Sequence, residues 1–312
     1  MARNREARRI LAVAALLAVM FALAARLTPW RAELAESNFQ ANLIRLQAFL
    51  FGPKPAAVLV GSSLSGRLLP SYFQKTPLAP LANLGLDGSG PLYGLELALR
   101  RPPPVVLIEA NTLLRPPNEN DAAIDAAVRG VQFQLSKYLP IMRAEERPSS
   151  MLYNWIKAGQ KGEEAPTATN SPKPDVQSPK SEAPASNIQY STTPPLRHSN
   201  TPSDSGINPL SGGESNRERL RAQIKALRAG GSRVVIVRLP TGYLTDNDPN
   251  FALGLELARE FKLPEFDLAA ECSSRGQTIS YSDRLHLAPG SAREVSRLLA
   301  TLVAQTEARA EH

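Results

Sequence analysis

Short, largely apolar runs recur along this chain, and stretches with helical spacing separate them. The first, Ala56-Ala57-Val58-Leu59-Val60, follows Pro55 and ends at Gly61. Similar runs lie at Leu81 to Leu86, Val105 to Ala110 and Val234 to Leu239, with a shorter one near Phe266 to Ala270. Runs this short, apolar on both alternating faces and bounded by Gly or Pro, suit central parallel strands covered on either side. Between them the period changes. Leu34, Phe39, Leu43, Leu46 and Leu50 recur at loosely helical spacing within Ala32 to Phe51, and Leu220, Ile224 and Leu227 mark one face of a helix that stops at Gly230-Gly231. Phe251 to Phe261 supplies another helix. Pro289 stands where a last one begins, with Val295, Leu298, Leu299, Leu302 and Val303 as its apolar stripe. Strands alternating with helices predict the α/β class, a three-layer α/β/α sandwich around a parallel sheet.

Two segments break the alternation. Residues 161 to 216 are rich in Pro, Ser, Thr, Asn and Lys and offer few apolar side chains, too few to offset the entropy of ordering them, so a disordered insertion is expected there. The chain then divides into residues 1–31, a basic and apolar leader; 32–160 and 217–312, the two parts of one domain; and the insertion between them. In the leader, Ile10 to Ala25 carries no charge and follows a cluster of arginines. Arginines ahead of an apolar run predict a membrane helix with a cytoplasmic N-terminus, a single pass and an extracytoplasmic domain. The run is short for a span, and Ala22-Leu23-Ala24 resembles a small-residue cleavage site. Removal as a signal peptide, leaving a secreted or periplasmic protein, is therefore the alternative.

Charge and cysteine usage narrow the function classes. The formal net charge is +7, but six arginines against one glutamate in residues 1–31 account for most of it, leaving 30 basic and 28 acidic residues elsewhere. No basic stripe with interleaved aromatics is present, so a nucleic-acid partner is not expected. The single Cys272 excludes an internal disulfide framework and a cysteine-based zinc site, and reads as a free, buried thiol. Of three histidines, His198 lies in the polar insertion and His312 is the last residue. Only His286 falls in a segment that reads as folded. It follows Asp283 in Tyr-Ser-Asp-Arg-Leu-His-Leu, where an Asp on a tight turn can bond one ring nitrogen and leave the other facing a nucleophile. With one placed histidine there is no histidine cluster for a metal.

Reactive groups in an open parallel sheet gather at the carboxyl ends of its strands. Gly61-Ser62-Ser63-Leu64 follows the first strand, Asn83-Leu84-Gly85-Leu86-Asp87-Gly88 ends the second, and Ile108-Glu109-Ala110-Asn111 ends the third. Taken in this order, with the Asp283/His286 turn before the final helix, the blocks resemble the SGNH/GDSL hydrolase superfamily. Its pattern is a Gly-Asp-Ser-Leu nucleophile block, a glycine block, an asparagine block and a C-terminal Asp-x-x-His. The resemblance spans residues 56 to 303 apart from the insertion. It implies a flavodoxin-like, five-stranded parallel sheet, Ser63 as nucleophile, His286 as general base and acid, and Asp283 as its orienting partner. It also implies an oxyanion hole made of the Ser63 N–H, the Gly88 N–H and the Asn111 side-chain amide. Such a site needs no cofactor and no metal. Two positions depart from the pattern: Ser62 stands where the superfamily has Asp, and Glu-Ala-Asn-Thr stands for Gly-x-Asn-Asp. Glu109 is expected to oppose an oxyanion unless it points elsewhere. Each residue also has a plain structural role to weigh, Ser63 as a helix cap, Gly88 as a turn glycine, Asn111 as a cap or turn holder and Asp283/His286 as a surface turn.

The expected activity is that of an exported, membrane-tethered serine esterase acting on an acyl ester or acylated glycan through an acyl-Ser63 intermediate. The same site used as an O-acyltransferase on an envelope glycan is the first alternative, in keeping with the resemblance to membrane-anchored glycan O-acetylation proteins. The second is a catalytically silent module that scaffolds a membrane acyl-transfer partner.

Overall fold

A computed structural model of the 312-residue chain describes residues 2–27, 37–139, 142–147, 150, 152, 156, 209–242 and 248–310. Five strands form one parallel sheet: β1 (Ala57–Gly61), β2 (Leu81–Gly85), β3 (Val105–Glu109), β4 (Arg233–Arg238) and β5 (Glu265–Asp267). Their order is β2-β1-β3-β4-β5, every pair parallel, with Val60 opposite Leu84 on one side and Ile108 on the other. The flavodoxin-like order expected from the sequence is thus present. In this order the chain reverses direction of winding between β1 and β3, and ligand crevices open above the carboxyl ends of those two strands.

The strands' alternating side chains feed two cores. Val58, Val60, Leu84, Val106, Ile108, Val234 and Ile236 pack on one face beneath α2 (Asn38–Phe51), α4 (Pro91–Arg100), α5 (Glu119–Arg129), α7 (Pro209–Ala229) and α8 (Pro249–Phe261). Ala57, Leu59, Leu81, Leu107, Val235 and Val237 pack on the other beneath α3 (Ser63–Gly66), α9 (Leu268–Ser274) and α10 (Pro289–Ala310). Burial on both faces is why the strands are continuously apolar rather than alternating. A short helix, α6 (Val131–Leu135), follows α5 on the first face, where Phe133 meets Phe51 with ring centroids 5.2 Å apart.

Several boundaries differ from the sequence expectation. The run Phe266 to Ala270 is a strand for only its first part, because the Asp267 carboxylate accepts hydrogen bonds from the Ala269 and Ala270 N–H groups and so caps a helix at Leu268. Helix α7 begins at Pro209, inside the stretch assigned by composition to the insertion, and Asn216 is buried. Residues 161–208 of that stretch lie outside the described residues. Cys272 is free and buried, and burial pushes its thiol pKa up.

Helix α1 (Ala2–Leu27) covers the apolar leader. Among the described residues no helix is long and apolar enough to cross a membrane. Ala18, Phe21, Ala22, Ala24 and Ala25, within the run expected to span, have side chains that lie outside the described set.

Candidate functional site

The chain turns sharply where β1 ends. Ser62 has extended backbone, and its hydroxyl accepts a hydrogen bond from the Leu64 N–H at 3.2 Å, so Ser62 is the cap of α3. The capping role therefore falls to Ser62 and not to Ser63. Freed from it, the Ser63 hydroxyl lies 2.9 Å from His286 Nε2. These two residues are 223 positions apart in sequence.

His286 is delivered by a loop that closes on itself. Tyr281 and Leu287 form an antiparallel bridge, the Ser282 N–H donates to the His286 carbonyl at 2.9 Å, and the Ala288 N–H donates to the Ser280 carbonyl. Within it Asp283 uses both carboxylate oxygens. Oδ1 accepts from the Leu285 and His286 N–H groups at 3.2 and 2.7 Å, and Oδ2 lies 2.7 Å from His286 Nδ1. These bonds, the backbone N–H of His286 first and its ring second, hold the Asp283 pKa down at about 2, against an ordinary value of 3.8. An ionised carboxylate can only accept, so the proton between the two residues sits on Nδ1 and Nε2 is left to accept from the Ser63 hydroxyl. The His286 side chain is 14% exposed and that of Asp283 50%, so the imidazole is the sheltered member of the pair. Arg284, between them, has φ +65°, the left-handed region that L side chains seldom occupy.

Glu109 is fully buried at the end of β3, beside the serine turn. Its Oε2 accepts from the Ser62 N–H at 2.9 Å and the Ser65 N–H at 3.0 Å. Its Oε1 accepts from the Ser62 hydroxyl at 2.7 Å and the Thr112 hydroxyl at 3.1 Å. The carboxylate thus points into the backbone of the turn. Gly61 makes room for it, since a Cβ there would sit 2.4 Å from Glu109 Oε2.

The remaining expected site residues are placed less directly. Gly88 has φ +82°, as its turn requires, and its carbonyl accepts from Asn118 Nδ2 at 2.7 Å. The turn ahead of it is clamped from α2: Asn42 exchanges two hydrogen bonds with the Asp87 backbone, and Arg45 bridges the Asp87 carboxylate at 3.0 Å and the Gly85 carbonyl. Helix α2 thus holds the glycine block. Neither the Ser63 N–H nor the Gly88 N–H donates to another described residue. Asn111 is engaged elsewhere, its Nδ2 donating to the Leu239 carbonyl at 2.9 Å and its Oδ1 accepting from the Leu239 N–H at 2.8 Å. An oxyanion role for Asn111 would rest on its second Nδ2–H alone. Asn83, the first residue of the glycine block, donates to the Ser65 and Leu68 carbonyls at 2.7 and 2.8 Å and so pins the serine turn to β2.

The structure therefore brings Ser63, His286 and Asp283 into one hydrogen-bonded chain, with Gly88 on the neighbouring strand end and Asn111 tied to β4. The contributions of Glu109, Asn83, Asn42 and Arg45 have no signature in the sequence beyond polar residues within two strands and the helix α2. A cavity of about 870 Å³ between residues 71–77 and α10, lined by Lys75, Arg293 and Arg297, includes none of the triad. Hydrogen bonding, not concavity, locates the site. Among the described residues no group of His, Cys, Asp and Glu is arranged to hold a metal ion. Chemically this is a serine hydroxyl, a base oriented by a carboxylate, and the free backbone N–H of the same serine, beside the switch point of a parallel α/β sheet. Compared with family models and with curated proteins, the chain finds no match in either set.

Proposed function

We propose that the protein is an SGNH-type serine esterase acting on an acyl ester through an acyl-Ser63 intermediate, tethered to a membrane by its N-terminal helix. The observation that carries the reading is the continuous relay from Ser63 Oγ through His286 to Asp283, at 2.9 and 2.7 Å. A serine hydroxyl is a poor nucleophile until a base takes its proton. As Ser63 Oγ attacks the acyl carbonyl, its proton passes to His286 Nε2, and Asp283 stabilises the imidazolium that forms. The carbonyl oxygen becomes an oxyanion, for which the N–H groups of Ser63 and Gly88 are the candidate donors. Collapse expels the alcohol, which takes the proton from His286. Water then attacks the acyl-serine, giving its proton to the same nitrogen, and the acid departs as Ser63 is restored.

The tether is supported by α1, where Ile10, Leu11, Val13, Leu16, Leu17, Val19, Met20 and Leu23 are each at least half exposed. A helix apolar around its circumference and uncovered by protein is suited to lipid. With arginines preceding the apolar run, the catalytic domain would lie outside the cytoplasm.

A fluorophosphonate probe tests the enzyme reading. Incubated with the folded protein, it should form an adduct located by peptide mass spectrometry at Ser63, and the adduct should disappear in His286→Ala. Intact protein that stays unlabelled would move the reading to the silent scaffold. Where labelling occurs, transfer of an acetyl group to a glycan hydroxyl in preference to water would assign the acyltransferase.

A further inference from the structure

We propose that Glu109 is a positioning residue for Ser63: with Ser62 it supplies, from the neighbouring strand, the brace that the Asp of a Gly-Asp-Ser block would otherwise bring to the nucleophile turn. The inference rests on the esterase reading and deepens it by assigning a residue that acts on the same site.

The argument is a count of donors. A turn that opens a helix presents backbone N–H groups with no partner of their own. Of the four from Ser62 to Ser65, the N–H of Ser62 donates to Glu109 Oε2, that of Leu64 to the Ser62 hydroxyl, and that of Ser65 to Glu109 Oε2. Only the Ser63 N–H is left without an acceptor among the described residues. It is the one that the proposed oxyanion needs. The Ser62 hydroxyl accepts from Leu64 and donates to Glu109 Oε1 at 2.7 Å, a carboxylate oxygen that can only accept. The one proton of the Ser62 hydroxyl is therefore committed to Glu109, which leaves Ser63 as the hydroxyl that faces His286. With the Thr112 hydroxyl, the carboxylate accepts four hydrogen bonds, matching the four lone-pair sites of an ionised group.

Position in the fold accounts for the rest. β1 and β3 are adjacent, and their carboxyl ends flank the switch point. A carboxylate rooted on β3 ties the serine turn to the strand beside it, where an Asp at position 62 would brace the turn only from within. Gly61 is obligatory for this, because any Cβ there would collide with Glu109. The serine and glutamate at positions 62 and 109 are thus one device, divided between two strands.

The test exchanges its halves. Wild type, Ser62→Ala, Glu109→Gln, Ser62→Asp and the double variant Ser62→Asp/Glu109→Gln are compared by fluorophosphonate labelling rate at Ser63, by kcat and KM on a chromogenic acetyl ester, and by thermal melting. Glu109→Gln keeps one oxygen for the two N–H donors but sets an NH2 donor against the Ser62 and Thr112 hydroxyls that donated to Oε1, and should lower labelling and kcat on the order of 100-fold, the size of a small misplacement of a reacting group. KM should stay within about twofold, since an interaction that matters only in the transition state leaves it unchanged. Ser62→Asp alone sets two carboxylates together and should be at least as slow. The double variant restores one carboxylate and a donor facing it, and should recover to within about tenfold of wild type. Should Glu109→Gln fail to fold, Ser62→Ala, which deletes one donor, and the double variant still decide. A labelled wild type with equally fast, folded Glu109→Gln, or a double variant no faster than the singles, overturns the positioning role while leaving the esterase standing. An unlabelled wild type overturns both.

Discussion

Asp283 accepts three hydrogen bonds with two oxygens, and the role of each oxygen is open to measurement. Oδ1 shapes the loop through the N–H groups of Leu285 and His286, and Oδ2 fixes the imidazole tautomer. Because its pKa in the folded protein is depressed to about 2, these interactions are complete above the ordinary carboxylate value and are lost as pH falls through about 2. The amide proton shifts of Leu285 and His286 should therefore titrate with a midpoint near 2, well below the ordinary value of 3.8, when followed by NMR. A midpoint at the ordinary value would show that the bonds do not form in solution. Asp283→Asn separates the two oxygens' roles. The amide oxygen still accepts from the backbone, but the amide nitrogen donates to Nδ1, which moves the ring proton to Nε2 and leaves nothing to accept from Ser63. The loop should keep its shape while kcat falls by roughly 10³ to 10⁴-fold, as for other serine sites given the wrong tautomer. The Asp-x-x-His spacing made this pair legible in the sequence. Glu109 was not legible, since its identity suggests repulsion at an oxyanion, and only its direction, into the turn and away from the space before Ser63, reverses that meaning.

Strands and turns carry the site more than helices do. Continuous apolar runs located β1 to β4 within a residue or two because a strand buried on both faces has no other way to be written. Helices α4 and α5 were not read from the sequence, although Leu92 and Leu95 on the one and Ile124 and Val128 on the other are buried at helical spacing. Helix α4 carries only a Pro at its first position, and α5 carries a capping box, in which Asn118 accepts from the Asp121 N–H while the Asp121 carboxylate accepts from the Asn118 N–H. Those local signals mark where the two helices begin. Contacts between elements distant in sequence left no trace at all. Gly242, just past β4, is an example: a Cβ there would lie 2.0 Å from the Arg284 carbonyl oxygen, in the loop that presents His286. Close approach, and not a positive φ, is what requires glycine at this position. Gly242→Ala should therefore displace the Asp283–His286 loop and cut Ser63 labelling at least about tenfold. The thermal midpoint should fall by only a few degrees, because overpacking of this kind costs ~1–3 kcal/mol and the loop lies at the surface. Equal labelling of this variant and wild type would mean that the β4 end does not support the histidine loop.

At the scale of the whole molecule, the body and α1 place their apolar side chains in opposite ways. The α/β body buries its large apolar side chains on both faces of the sheet, with Phe49, Phe73, Leu59 and Leu107 at the centre of its two cores. Helix α1 does the reverse, exposing Leu11, Leu16 and Leu17 at 68%, 61% and 64%. An exposed apolar surface of this extent is unfavourable in water and needs a cover. Since the described side chains of α1 are exposed, they add nothing to the body's cores, and removing residues 1–31 should leave the melting temperature of the body and its labelling at Ser63 unchanged. Binding to lipid should change completely. The full-length chain should float with phosphatidylcholine vesicles on a density gradient, and both the truncated chain and a Leu16→Arg variant should stay in the soluble fractions. An arginine at the middle of a lipid-inserted helix costs about 2.5–3.5 kcal/mol on insertion scales, so Leu16→Arg should release α1 if lipid holds it. Flotation that survives Leu16→Arg would place the lipid contact on the body and not on α1. A body that melts at a lower temperature after truncation would instead make α1 part of the fold, its apolar side chains covered by protein.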